Sequence, residues 1–146
     1  MLTNKGKYGL KALVHLAEAE PARMVMVSDI AAGQNIPKKF LEAILLDLRN
    51  AGFVRSKKGP GGGYALARAA EDIPVGAVVR TLDGPLAPVA CASRTAFRPC
   101  DDCTDLVTCP VRLTMLEVRD AMARVLDNTS LADMIAASRA ASPPEA

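Results

Sequence analysis

Near the amino terminus, apolar residues recur at three- and four-residue steps: Tyr8, Leu10, Leu13, Val14, Leu16 and Ala17 form one stripe. That spacing predicts a first helix over residues 3–19, with Pro21 just past its end. Val27 to Ala32 reads as a short second helix with Ser28 as its cap. Gly33 to Pro37 supplies a turn, and Phe40, Leu41, Ile44, Leu45 and Leu48 mark a third helix that stops by Gly52. Two helices joined by a short turn containing Gly form a helix-turn-helix, in which the second helix is the reader.

Periodicity then changes. Gly52 to Ser56 begins as a β-strand, Lys57 to Gly63 is a glycine-rich loop, and Tyr64 to Leu66 returns as a second strand, which together predict a hairpin wing. Residues 72–83 read as a fourth helix with Pro74 at an early position. A loop bearing Pro and Cys fills 84–109, and Pro110 opens the last long helix. There Val111, Met115, Val118, Met122 and Val125 are spaced as a heptad seam, the pattern of a dimerisation face. Asp127 to Leu131 breaks that helix, a short helical turn follows, and Ser142 to Ala146 is a frayed end. The expected fold is mainly α: a winged helix-turn-helix with a small β-hairpin wing and a long C-terminal dimerisation helix. Its expected parts are a DNA-binding domain over 1–83, a cysteine-bearing sensor loop over 84–109, a dimerisation helix and turn over 110–134, and a flexible tail over 135–146.

Half of the residues are apolar but only 3% are aromatic, so the core must be aliphatic. The net charge of +2 conceals an asymmetry. Residues 1–64 hold ten Lys and Arg against five Asp and Glu, whereas 65–146 hold eight against eleven. Positive charge therefore sits in the half that carries the helix-turn-helix, where a polyanion such as DNA would be met. The amino terminus lacks the apolar core and cleavage site of a signal peptide, and no stretch reaches the roughly 18 apolar residues of a membrane span. The expectation is a cytoplasmic, nucleoid-associated bacterial protein without a membrane partner.

Within the third helix, Lys38 and Lys39 stand at the start and Glu42 one turn later. Lysines there suit phosphate or guanine, and a carboxylate accepts from the cytosine amino group. In the wing, Lys57 and Lys58 supply counter-charge while Gly59, Gly61 and Gly62 let backbone amides approach phosphates. The same loop lacks the Gly-Lys-Ser/Thr ending of a nucleotide-binding P-loop and precedes a strand rather than a helix.

The four cysteines, Cys91, Cys100, Cys103 and Cys109, follow the pattern C-x8-C-x2-C-x5-C. In a reducing compartment such a group reads as metal ligands or redox sensors rather than structural disulfides. Zinc sites want two close pairs or added histidines, and the single histidine, His15, is a packed residue of the first helix, so zinc is the weaker alternative. Iron-sulfur ligation by three or four thiolates tolerates the irregular spacing better. Cys109, just before Pro110, sits at a helix N-terminus, whose dipole favours the thiolate.

The order of these features resembles the Rrf-two (Rrf2) family of winged-helix transcription regulators, the IscR-, NsrR- and RirA-like group. Leu2 to Tyr8, Phe40-Leu41-Glu42, Lys58 to Leu66, Cys103-x5-Cys109 and Asp127 to Leu131 carry the resemblance, over about residues 1–134. It implies a homodimer with crossed long helices that binds a double-stranded DNA operator. It also implies an iron-sulfur cluster, of two-iron or four-iron type, on Cys91, Cys103 and Cys109. Glu42 would discriminate DNA sequence and Lys58 would enter the minor groove. Regulators of this family respond to iron, cluster supply, nitric oxide or redox state. Two positions depart from the pattern: Arg112 stands where one relative uses a histidine ligand, and Lys7 where another uses an acidic one. Cys100, extra in this loop, is thereby the candidate fourth ligand or a redox partner.

A metal-free thiol switch, through a Cys100 to Cys103 or an intersubunit disulfide, is the alternative within the DNA-binding class. An enzyme is disfavoured, because no nearby acid-base pair, activated nucleophile or cofactor loop is evident. A module that sequesters another protein is a third class, separable by whether the chain shifts DNA at all.

Overall fold

The computed structural model describes residues 2–20 and 23–144. Pro21, expected to follow the first helix, lies outside them, as do Glu145 and Ala146 of the expected frayed end. In chain order the elements are α1 (Asn4–Glu18), α2 (Val27–Gln34), α3 (Lys38–Asn50), β1 (Val54–Lys57), β2 (Gly63–Leu66), α4 (Val75–Asp83), α5 (Pro110–Asp127) and α6 (Leu131–Ala141). Single 3-10 turns occupy Ala70–Asp72 and Ala90–Ala92. The fold is mainly α with one two-stranded antiparallel hairpin, as the periodicity predicts.

The core is aliphatic. Leu13, Ile30, Leu41, Ile44, Leu45, Leu48, Ile73, Val78 and Leu131 are the largest fully buried side chains among the described residues, drawn from α1, α2, α3, the segment before α4, α4 itself and the start of α6. Each such side chain contributes roughly 1.5–3 kcal/mol by leaving water. α1 and α4 cross closely because Gly9 lacks a side chain: a Cβ there would fall 2.1 Å from Leu82 Cδ1. Thr3 caps α1, accepting from Gly6 N at 3.3 Å, and donates its hydroxyl and amide to Asp83 at the end of α4. These contacts fix the crossing where the start of α1 meets the end of α4.

Several boundaries differ from expectation, each for a local reason. α2 begins at Val27 with Met26 at the cap position, so Ser28 lies in the first turn rather than capping it. The turn to α3 is made by Asn35 in left-handed conformation (φ 54°), a role short amide side chains tolerate. Gly33 is inside α2, where a Cβ would meet His15 Cε1 at 2.6 Å. His15 is indeed a packed residue, with Nδ1 3.2 Å from Gln34 Nε2. α4 starts at Val75 rather than 72, because Ile73 and Pro74 instead run extended beside the α5–α6 junction. Val75 N donates to Thr129 O and Leu131 N to Ile73 O, both at 2.9 Å. α6 is eleven residues rather than a short turn, and takes in residues 135–141 that were expected to be tail. A capping box of Ser130 and Asp133 starts it, and Leu131 and Ile135 bury its apolar stripe.

α5 reaches α4 through a two-pronged ion pair, Arg80 to Asp127, at 2.6 and 2.9 Å. Gly76 makes room for it: a Cβ there would fall 2.0 Å from Asp127 Oδ1. Along the heptad seam, Met115 and Met122 are half-buried, whereas Val111, Val118 and Val125 are 61%, 41% and 58% exposed. The three valines are spaced by sevens and therefore share one outward line. No described helix is long and apolar enough to cross a membrane.

Candidate DNA interface and cysteine loop

α3 is amphipathic in the sense a groove reader needs. Leu41, Ile44, Leu45 and Leu48 bury one face, leaving Lys38, Lys39, Glu42, Ala43, Leu46 and Arg49 exposed on the other. Two contacts with α1 fix its orientation. Phe40 packs edge-on against Tyr8, ring centres 5.6 Å apart, and Lys5 pairs with Asp47 at 2.7 Å. Near the other end Arg49 donates to Ser56 of β1 at 3.4 Å, tying the helix to the hairpin.

The hairpin pairs Val54 with Leu66, Arg55 with Ala65, Ser56 with Tyr64 and Lys57 with Gly63. Lys57 closes β1 rather than lying in the loop, and Lys58 begins the tip; both are exposed. Gly59 and Gly61 turn the tip at φ 85° and 72°, conformations that glycine adopts without steric cost. Gly62 N closes it on Gly59 O at 2.9 Å. A third extended segment braces the wing: Val25 and Tyr64 exchange two backbone hydrogen bonds of 2.8 Å. Their approach requires Gly63 (φ 140°), where a Cβ would fall 2.3 Å from Val25 O. Val25 was missed in the sequence because a one-residue bridge leaves no periodicity.

The second candidate region is the loop from α4 to α5. Cys91 sits in the buried 3-10 turn, Cys100 is exposed, Cys103 is half-buried, and Cys109 is the cap residue immediately before Pro110 at the start of α5. All four line one cavity of about 470 Å³, together with Asp102, Asp105 and Arg112. Each thiol thus has other thiols as neighbours in the cavity. The Cys91 hydrogen bond pushes the Cys100 thiol up from its ordinary range, with desolvation and the nearby thiols adding to it. Desolvation does the same at Cys103, against a backbone hydrogen bond from Asp105. Among the described residues no three His, Cys, Asp or Glu side chains stand in metal-binding geometry. The donor set nonetheless suits iron and sulfur, since thiolates are its usual ligands and four share one cavity.

Three features of this loop were not apparent in the sequence. Arg112, which the resemblance marks only as a lost ligand, donates Nε to Cys91 O at 3.0 Å and Nη1 to Leu106 O at 3.2 Å, joining both ends of the loop to α5. Its guanidinium also lies 5.9 Å from the Phe97 ring centre. Arg94 forks onto Asp120 at 2.9 and 2.7 Å. With Arg119 beside it, Arg94 holds the Asp120 carboxyl down at about 2. Asp105 accepts from Val107 N and the Thr108 hydroxyl, at 2.9 and 2.7 Å, shaping the turn before Cys109. The pairs from Arg112 to Cys91 and from Arg94 to Asp120 join residues distant in the chain and carry no spacing signal.

The family model of Rrf2, described as an iron-dependent transcriptional regulator, matches residues 2–137. The chain is 44% identical over 144 residues to an HTH-type transcriptional regulator named rrf2-like from Rhodobacter capsulatus, covering 97% of this chain and 96% of that protein. It is similar to the solved structure of T. potens IscR, with TM-score 0.77, 29% identity, and coverage of 100% of this chain and 93% of that one. It is also similar to the structure of CymR, the global cysteine regulator of B. subtilis, with TM-score 0.74, 32% identity, and coverage of 92% and 95%.

Proposed function

The chain belongs to the Rrf2 family of transcriptional regulators, and from that premise we propose that its affinity for a two-fold DNA operator is set by an iron-sulfur cluster on the thiols of the cysteine loop. The observation that carries this is the convergence of Cys91, Cys100, Cys103 and Cys109 on one cavity at the start of α5. Cys91, Cys103 and Cys109 would hold the cluster, with Cys100 as the fourth ligand in place of Arg112, whose charged guanidinium has no free pair to offer. The bound cluster supplies a centre whose loss or change of state reports iron, cluster supply, nitric oxide or redox conditions.

The chain's own residues do the rest. Arg112 and Arg94 couple the loop to α5, and Arg80 with Asp127 couples α5 to α4 in the head. Loop closure on the cavity thus bears on how α5 sets the two heads of a homodimer, whose contact is the line of Val111, Val118 and Val125. On the DNA, Lys38, Lys39 and Glu42 meet base edges and phosphates. Lys57 and Lys58, with the amides of Gly59, Gly61 and Gly62, hold the backbone.

Purification without oxygen should give protein with iron, acid-labile sulfide and visible absorption, and with operator affinity that changes on exposure to nitric oxide or oxygen. Protein without iron or sulfide, and DNA binding unchanged when Cys103 and Cys109 are both replaced by Ala, would refute the proposal.

One observation favours a second reading, a metal-free thiol switch. Cys100 shares one cavity with Cys91, Cys103 and Cys109, so oxidation would join it to one of these thiols. The cysteine regulator CymR shares the fold. Peptide mapping after peroxide treatment, beside the iron assay, separates the two.

A further inference from the structure

The outward face of α3 contains a step that no charged residue explains. Between Glu42 and Arg49 it presents Ala43 and Leu46, three residues apart and therefore adjacent on the helix surface, both exposed. Leu46 is 44% exposed although it lies on the helix whose other face supplies four fully buried side chains. A helical side chain leans toward the N-terminus, so Leu46 overlies the turn of Glu42 and Ala43 rather than the end of the helix. A single exposed leucine is commonplace on a protein surface. Here, however, it is paired with an alanine and flanked by Lys39 and Glu42 before it and Arg49 after it.

We propose that Leu46, backed by Ala43, recognises the 5-methyl group of a thymine in the major groove and so fixes a T·A pair in each operator half-site. Neither side chain has a donor or an acceptor, so neither can distinguish bases by hydrogen bonding. Among the four bases only thymine offers an apolar group on its major-groove edge. The polar neighbours would then read the bases on one side of that thymine, and Leu46 would make an A·T-rich position selective without a hydrogen bond. The inference rests on α3 being the helix that enters the groove.

The test uses the full-length chain and an operator recovered by selection from genomic fragments. Each thymine is replaced in turn by deoxyuridine, which removes the methyl and leaves every hydrogen-bonding group in place, and affinity is measured by fluorescence anisotropy at fixed salt. For the wild-type chain one thymine per half-site should show a loss of about four-fold, the effect of one buried methyl group. Leu46→Ala should bind the thymine and deoxyuridine operators alike, while Leu46→Met should retain the discrimination. Because Leu46 is exposed, these variants fold, which circular dichroism checks. Selection of an operator with no deoxyuridine penalty, or an undiminished penalty in Leu46→Ala, overturns the proposal and leaves α3 as the reader. Failure of the wild-type chain to select any DNA overturns both.

Discussion

Replacing Arg112 by Ala should loosen the cysteine loop without disturbing the head. The side chain makes two hydrogen bonds to backbone carbonyls, at 3.0 Å to Cys91 and 3.2 Å to Leu106. A hydrogen bond involving a charged partner contributes about 1.5–3 kcal/mol when well shielded. Arg112 is only half-buried, and water discounts each bond to about 1 kcal/mol. Together they hold the closed loop by about 2 kcal/mol, roughly thirty-fold in its opening equilibrium. Native-state hydrogen exchange reads that quantity directly. The Ala96 and Arg98 amides, bonded to Ser93 Oγ at 2.9 Å and Ala90 O at 3.2 Å, should exchange about thirty-fold faster in Arg112→Ala. The core amides of Leu45 and Leu48 should be unchanged. Arg112→Lys keeps the charge but loses the fork, and should fall between the two proteins. Loop amides in Arg112→Ala that exchange within about two-fold of wild type would show that the guanidinium bonds do not hold the loop closed, and the energy assigned to them above would be refuted.

Three further outcomes are expected. Gly63→Ala combines a backbone conformation hostile to side chains with a Cβ 2.3 Å from Val25 O, so urea unfolding should show a loss of roughly 2–5 kcal/mol, with faster amide exchange at Val25 and Tyr64. Hydrogen bonds from Arg94 and Arg119 hold the Asp120 carboxyl down at about 2, so its stabilisation is complete above about pH 4 and is lost as pH falls toward 2; Asp127, held below the usual carboxylate range by the hydrogen bond from Arg80, likewise loses its stabilisation on acidification. Thermal melts over that range should show a shallower decline in the double variant Asp120→Asn/Asp127→Asn. Val118→Lys puts a charge in the exposed valine line and should shift sedimentation from dimer to monomer while the far-ultraviolet spectrum is kept.

The elements legible in the sequence are those with their own periodicity. α1 and α3 each bury one continuous stripe, and the wing announces itself by glycines at the tip between short strands. What was not legible depends on distant partners. The start of α4 moved because Ile73 to Val75 pairs with Thr129 to Leu131, and no local pattern in either segment reports the other. α6 is rich in alanine, and its stripe is short enough to pass for a turn until Leu131 and Ile135 are seen filling the head. In the cysteine loop the thiols declared themselves by spacing, but their convergence on one cavity and the bridging by Arg112 arise only once the loop is folded back on α5.

The extended pairing between Ile73–Val75 and Thr129–Leu131 also constrains how the protein comes to be made. Leu131 is fully buried in the same core as Ile30 and Ile73, so a nascent chain that has left the ribosome only as far as α4 lacks one of its largest core side chains and the segment that pairs with Ile73–Val75. Closing that contact requires the cysteine loop and all of α5 to be spanned first, an entropic cost met before any of its stabilisation is gained. Completion of the head is therefore a late folding event. The loop that joins the two segments is, during synthesis, the tether whose reach decides how fast they meet.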